Sequence, residues 1–153
     1  MIAKYTKPPY QPKWILNLQV FLLRHFKSGL SKHTMIITTT GRKTGHHHSV
    51  PIGFIHDGNN YIAINLGAHS NWYLNALANP CVTLELEGKK FDALAKPIST
   101  QTPDEVRQVL DIFARERPDL YKNFFGLTYK TPSDEDVLRI QKRMAFVRFC
   151  PRS

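Results

Sequence analysis

Between Thr34 and Pro97 the chain is a series of short strand-like runs joined mostly by hairpin turns, and that spacing restricts its fold more than any other feature. Thr34–Thr40 is rich in β-branched residues. Ser49–His56 alternates apolar and polar positions, with Pro51 near its start, and Tyr61–Asn65 returns after the turn Asp57-Gly58-Asn59-Asn60. Cys81–Leu86 and Lys89–Pro97 make a second hairpin about Gly88, and Ala145–Cys150 closes the chain as a strand. Strands joined by hairpins pair antiparallel, because a parallel pair needs a crossover of a dozen or more residues. Six such strands with helices outside them predict an α+β fold, a mainly antiparallel six-stranded barrel with flanking helices.

The helices carry their own signals. Trp14, Leu18, Phe21, Leu22 and His25 recur at helical spacing and predict an amphipathic helix from Lys13 to about Lys27, stopped by Ser28-Gly29. Asn71–Leu77 reads as a short helix ended by Asn79-Pro80. Thr102-Pro103-Asp104-Glu105 combines an N-cap, a proline at the first helical position and acids in the first turn, for a helix to about Glu116. A turn containing Pro118 leads to Tyr121, Phe124, Phe125 and Tyr129, and Pro132-Ser133-Asp134 opens a last helix to about Lys142. Residues 1–12, with their prolines and tyrosines, read as an extended arm, and residues 13–153 as one domain large enough to bury a core without disulfides or metals.

The formal net charge of +9 favours an anionic partner. The basic residues are scattered, and zinc-finger spacing and RNA-binding aromatic motifs are missing, so nucleic acid is not expected. No apolar run approaches the ~20 residues that span a bilayer, and the first ten residues hold no apolar signal core, so a cytoplasmic protein is expected. The basic and apolar helix of residues 13–28 has two destinations, packing against the barrel or peripheral contact with an anionic membrane, and packing is the commoner. Cys81 and Cys150 belong to no CxxC or Cys/His pattern and are expected as buried thiols.

The strongest chemical constellation is Thr38-Thr39-Thr40-Gly41-Arg42-Lys43-Thr44-Gly45. Two glycines allow a tight turn whose successive amides can cradle an anion, while Arg42, Lys43 and Thr44 add donors and charge. This spacing builds a phosphate site that is not a Walker A loop, although a solvated basic turn would look the same. His46-His47-His48 follows, with His46 and His48 on one side if they lie on a strand. Together with His56 or His69 they match no known ligand spacing, so they extend the anion surface and no metal centre is expected. Trp72 and Tyr73 open the short helix and could wall a planar ligand. The Tyr121–Tyr129 aromatics suit a quinone or nitroaromatic, or simply a core. GxSxG and HExxH are both missing, so an enzyme built on this chain must take its reactivity from a cofactor.

Thr39-Thr40-Gly41-Arg42-Lys43-Thr44-Gly45, then Val50-Pro51, then Trp72-Tyr73-Leu74-Asn75 and Ala78-Asn79-Pro80, together resemble the deazaflavin-dependent nitroreductase family. The resemblance implies the split β-barrel of flavin-binding proteins and reduction of quinones, nitroaromatics or other conjugated acceptors by reduced coenzyme F-420. It implies that Thr40, Gly41, Arg42, Lys43, Thr44, Gly45 and His48 surround the cofactor's phosphate-bearing tail. It further implies that Val50, Pro51, Ile52 and Trp72 border the ring system, and that a homodimer could complete the site. His48 stands where the family often has arginine, which keeps FMN as the alternative cofactor. Tyr121 and Tyr129 are the candidate proton donors to a developing oxyanion.

Overall fold

Six strands form the centre of the computed structural model, which describes residues 12–25, 32–66, 70–98, 102–128 and 131–152. They are β1 (Thr34–Thr40), β2 (His47–Asp57), β3 (Asn60–Leu66), β4 (Cys81–Leu86), β5 (Lys89–Ile98) and β6 (Met144–Pro151). All neighbours are antiparallel, and the ring β1-β2-β3-β6-β5-β4 closes on itself. The hairpin expectation therefore holds, and the ring is closed by the pairing of β1 with β4 over Ile36–Thr38.

Side chains alternate across the barrel wall with the period of two that a strand imposes. Met35, Ile37, Ile52, Phe54, Leu84 and Phe149 point inward and form the barrel interior. Ile55, Ile62 and Phe146 point outward and form a second core with the helices that follow β5. Those helices are α3 (Pro103–Glu116), α4 (Pro118–Asn123) and α5 (Asp134–Arg143), while α1 (Lys13–His25) and α2 (Asn71–Ala78) come earlier in the chain. Ser133 and Asp136 close a reciprocal capping box that starts α5. Thr102 stands at the N-cap of α3 without a side-chain cap bond, and Pro103 and two acids carry the start.

Three expectations change. The turn at Pro118 is the helix α4, because Pro118 sits at its first position and Asp119 follows in the first turn. Helix α1 does pack on the barrel, but with the opposite face. Val20 is buried, whereas Trp14 is 67% exposed and Leu18, Phe21 and Leu22 are also exposed. The helix is apolar on nearly all sides, so periodicity alone could not choose the face. Arg24, one turn beyond Val20, fixes the rotation by reaching Glu85 on β4 with two bonds of 3.0 and 2.7 Å. Cys81 is exposed and Cys150 half-buried, because the inward phase of β4 belongs to Val82 and Leu84 and that of β6 to Val147 and Phe149. The expected arm over residues 1–12, apart from Pro12, and the stop at Ser28-Gly29 lie outside the described residues.

Candidate anion and cofactor site

The turn between β1 and β2 is built as the two glycines suggest. Gly41 N–H donates to the His46 carbonyl at 2.7 Å, and Gly45 N–H donates back to the Gly41 carbonyl at 2.8 Å. Gly45 has a φ of +74°, in the left-handed region that other residues enter at a cost. Gly41 is constrained by space instead. A Cβ there would come within 3.1 Å of His46 O, His48 Nε2 and Thr44 Oγ1. The His48 imidazole and the Thr44 hydroxyl therefore lean together over Gly41, which puts His48 at the loop. His46 immediately precedes β2 and uses its backbone in the turn, accepting from Gly41 N–H and donating to Thr44 Oγ1 at 3.3 Å. Among the described residues, no three His, Cys, Asp or Glu side chains gather as a metal-binding group.

The amides do not form a continuous cradle. Those of Gly41 and Gly45 are bonded within the turn, and that of Arg42 donates to Asn75 Oδ1 at 3.2 Å. The Arg42 and Lys43 side chains are both exposed at the turn.

Helix α2 holds the loop from above. The Arg42 guanidinium donates to Asn75 Oδ1 at 2.8 Å and lies 3.5 Å from Asn71 Oδ1 through both terminal nitrogens. Asn75 Nδ2 donates to Thr39 Oγ1 at 3.3 Å, tying the helix to the inner face of β1. Asn71 and Asn75 are one helical turn apart and so share a face. The first turn of α2 carries no acid, so its positive end is not offset from within the helix. The hydroxyl of its N-cap, Ser70, is turned to the Asn65 side chain. Arg24, Arg107, Arg117, Arg139 and Arg148 each pair with a carboxylate. No such pair forms at Arg42 among the described residues. Asn75, which stands in the motif without an assigned role, is thus the organising residue that sequence reasoning missed; its four-residue spacing from Asn71 was the available signal.

The ring-bordering candidates divide. Val50 and Pro51 are half-buried, whereas the Ile52 side chain lies in the barrel interior. Trp72 is half-buried, its ring 6.0 Å from Tyr73 and 6.3 Å from Phe149. Thr40 ends β1 half-buried, paired with His47.

Farther along β2, on its outer face, lies a cavity of about 190 Å³. Gly53 lines it, with Ile55, Ile62 and Phe124 among its apolar walls and His33 and Arg117 among its polar members. Gly53 is five residues beyond His48, roughly 17 Å along an extended strand. Arg117 is bonded to Asp119 at 2.9 and 2.7 Å and holds that carboxyl down to about 2. Burial, helped by the charge of Arg117, pushes the His33 imidazole below its usual value. Tyr121 is a core side chain under α3 and α5. Burial, then the charges of Asp111 and Asp136, push its phenol above the usual 10.0. Tyr129 lies outside the described residues.

A closed antiparallel six-stranded barrel with a helix over one end defines the split-barrel class. Solved structures with this fold include a domain-swapped dimer at 19% identity and TM-score 0.54, covering 90% of this chain and 97% of that one. An FAD-binding protein of Mesorhizobium loti is similar at 10% identity and TM-score 0.54, covering 89% of each chain. Within that class, residues 25–129 match the family model of the F420H(2)-dependent quinone reductases, and the chain belongs to that family. An F420H(2)-dependent quinone reductase of Mycobacterium tuberculosis is 28% identical over 99 residues, which cover 62% of this chain and 66% of that one. The match therefore spans just under two thirds of the relative's length.

Proposed function

We propose that this protein is an oxidoreductase that transfers a hydride from reduced coenzyme F-420 to a quinone or to another conjugated acceptor such as a nitroaromatic. The observation that carries the reading is Arg42, a cation with no carboxylate partner among the described residues, held at a tight glycine turn on a barrel with an apolar cavity along the same strand. Family membership and the name of the mycobacterial relative support it.

The residues present fit such a cofactor. Arg42 and Lys43 would meet the phosphate and the carboxylates of its tail, with Thr44 and His48 beside them. Val50, Pro51 and Trp72 would border the ring. When bound, the reduced cofactor supplies the hydride, and the chain supplies position and exclusion of water. The cavity at Gly53 is the place for an apolar acceptor. Tyr121 and Tyr129 are the proposed proton donors, and full turnover by both Tyr→Phe variants would remove them from that role.

Titration of the purified protein with F-420 and with FMN, followed by fluorescence, tests the reading. Tight binding of F-420 and reduction of a soluble quinone are expected. Preference for FMN would assign the same site to the other cofactor, and binding of neither would end the redox reading.

Two wider properties belong to the same proposal. The outward face of α1 makes peripheral contact with anionic lipid, supported by its exposed Trp14, Leu18 and Leu22 and by the net charge of +9. No helix among the described residues is long and apolar enough to cross a membrane. The assembly is a homodimer; a solved structure of the same fold is a domain-swapped dimer.

A further inference from the structure

One atom of Asn75 has two tasks. Its Oδ1 accepts from the backbone N–H of Arg42 at 3.2 Å and from the guanidinium of the same residue at 2.8 Å. Both lone pairs of that oxygen are thereby used. The amide nitrogen is occupied by Thr39, and the residue is only 3% exposed. A carboxylate at this position would bind a guanidinium more strongly than a neutral amide does, since bonds between two charged partners are the strong ones. It would also cancel the charge. Asn71, the second acceptor near the guanidinium, is likewise an amide.

We infer that Asn75 is a positioning residue for the anionic tail of the cofactor. It fixes the turn backbone and the Arg42 guanidinium together and, being neutral, leaves the full positive charge for the ligand. Holding the cation in place before binding reduces the ordering cost that binding would otherwise carry. This rests on the reading of the Thr40–Gly45 turn as the tail site, and the test separates the two.

Affinity for F-420, and for inorganic pyrophosphate as competitor, is measured by fluorescence on the full chain as wild type, Asn75→Ala, Asn75→Asp, Arg42→Ala and the Arg42→Ala/Asn75→Ala double variant. Thermal melting accompanies each. Loss of a bond to a charged group predicts about a tenfold weakening for Asn75→Ala. Asn75→Asp keeps both acceptor positions and should bind at least as weakly, because its charge offsets that of Arg42. In the Arg42→Ala background only the bond from the main-chain N–H of residue 42 remains, so removing Asn75 should cost clearly less affinity there than in wild type. Ser133→Ala, which removes the capping box of α5, should bind the cofactor like wild type and melt lower. It serves as the folded comparison if Asn75→Ala does not fold.

The inference is overturned if Asn75→Asp binds F-420 as tightly as wild type. An equal loss on removing Asn75 with and without Arg42 overturns it too. If wild type binds neither F-420 nor pyrophosphate, the tail-site reading itself fails. Wild-type binding with unaltered Asn75 variants defeats the positioning role alone.

Discussion

Gly41 and Gly45 bracket the turn for different physical reasons, and their substitutions should behave differently. Gly45 needs its left-handed backbone but has open space around it, so Gly45→Ala should cost about 1 kcal/mol in urea denaturation. Tyr121 gives a prediction with a defined sign. Its phenol is raised above 10.0 in the fold, so below that pH its protonated form is present in both states and its contribution is complete. Above it the unfolded chain ionises first, and stability falls as pH rises toward the folded value. Tyr121→Phe should therefore flatten the alkaline loss, as read from denaturation midpoints between about pH 9 and 11. An unchanged slope would assign that loss to other groups. Some of this was legible and some was not. The two glycines and the Arg42-Lys43 pair mark the turn in the bare sequence. The spacing of Asn71 and Asn75 marks a polar face on α2, but what Asn75 holds became visible only once β1 and the turn were placed beneath it.

Among the elements, the hairpins were the easiest to read, since their turns are local and their strands inherit direction from them. Helix α1 was half legible. Its periodicity marks a helix, but residues apolar all round leave the packed face to tertiary contacts such as Arg24 with Glu85. The outcome is an unusual helix for a domain surface, with its largest side chain, Trp14, 67% exposed. Trp14→Glu with Leu18→Glu should abolish sedimentation with anionic liposomes while changing stability by no more than about 0.5 kcal/mol per site, as befits exposed positions. Wild-type protein that stays in the supernatant would end the membrane reading. Helix α4 was missed because Pro118 signals a turn and a helix start equally well, and only the packing of its neighbours Phe113 and Phe125 decides between them.

At the scale of the whole molecule, the barrel separates two apolar regions. The interior lies beneath α2, and the outer core lies beneath α3 and α5. The charged turn belongs to the first region and the cavity to the second, with β2 running from one to the other. A bulky residue at Gly53 would fill the cavity without touching the turn. Gly53→Leu is expected to raise the KM for a quinone about tenfold while leaving the dissociation constant of F-420 unchanged. Steady-state kinetics beside a binding titration checks the split. A parallel loss of cofactor affinity would place the two ligands in one region.

The position of β6 has a consequence for biosynthesis. Of the six described barrel strands it is made last, yet it sits between β3 and β5, with three helices intervening after β5 in the chain. A nascent chain emerging from the ribosome therefore carries five strands whose ring is open at both sides of one gap. Until the final segment arrives, β3 and β5 each expose a row of unpaired peptide groups, the kind of surface that recruits a neighbouring chain. Lys96 and Pro97, on the stretch of β5 that β6 later covers, are residues that discourage pairing with a foreign strand during that interval.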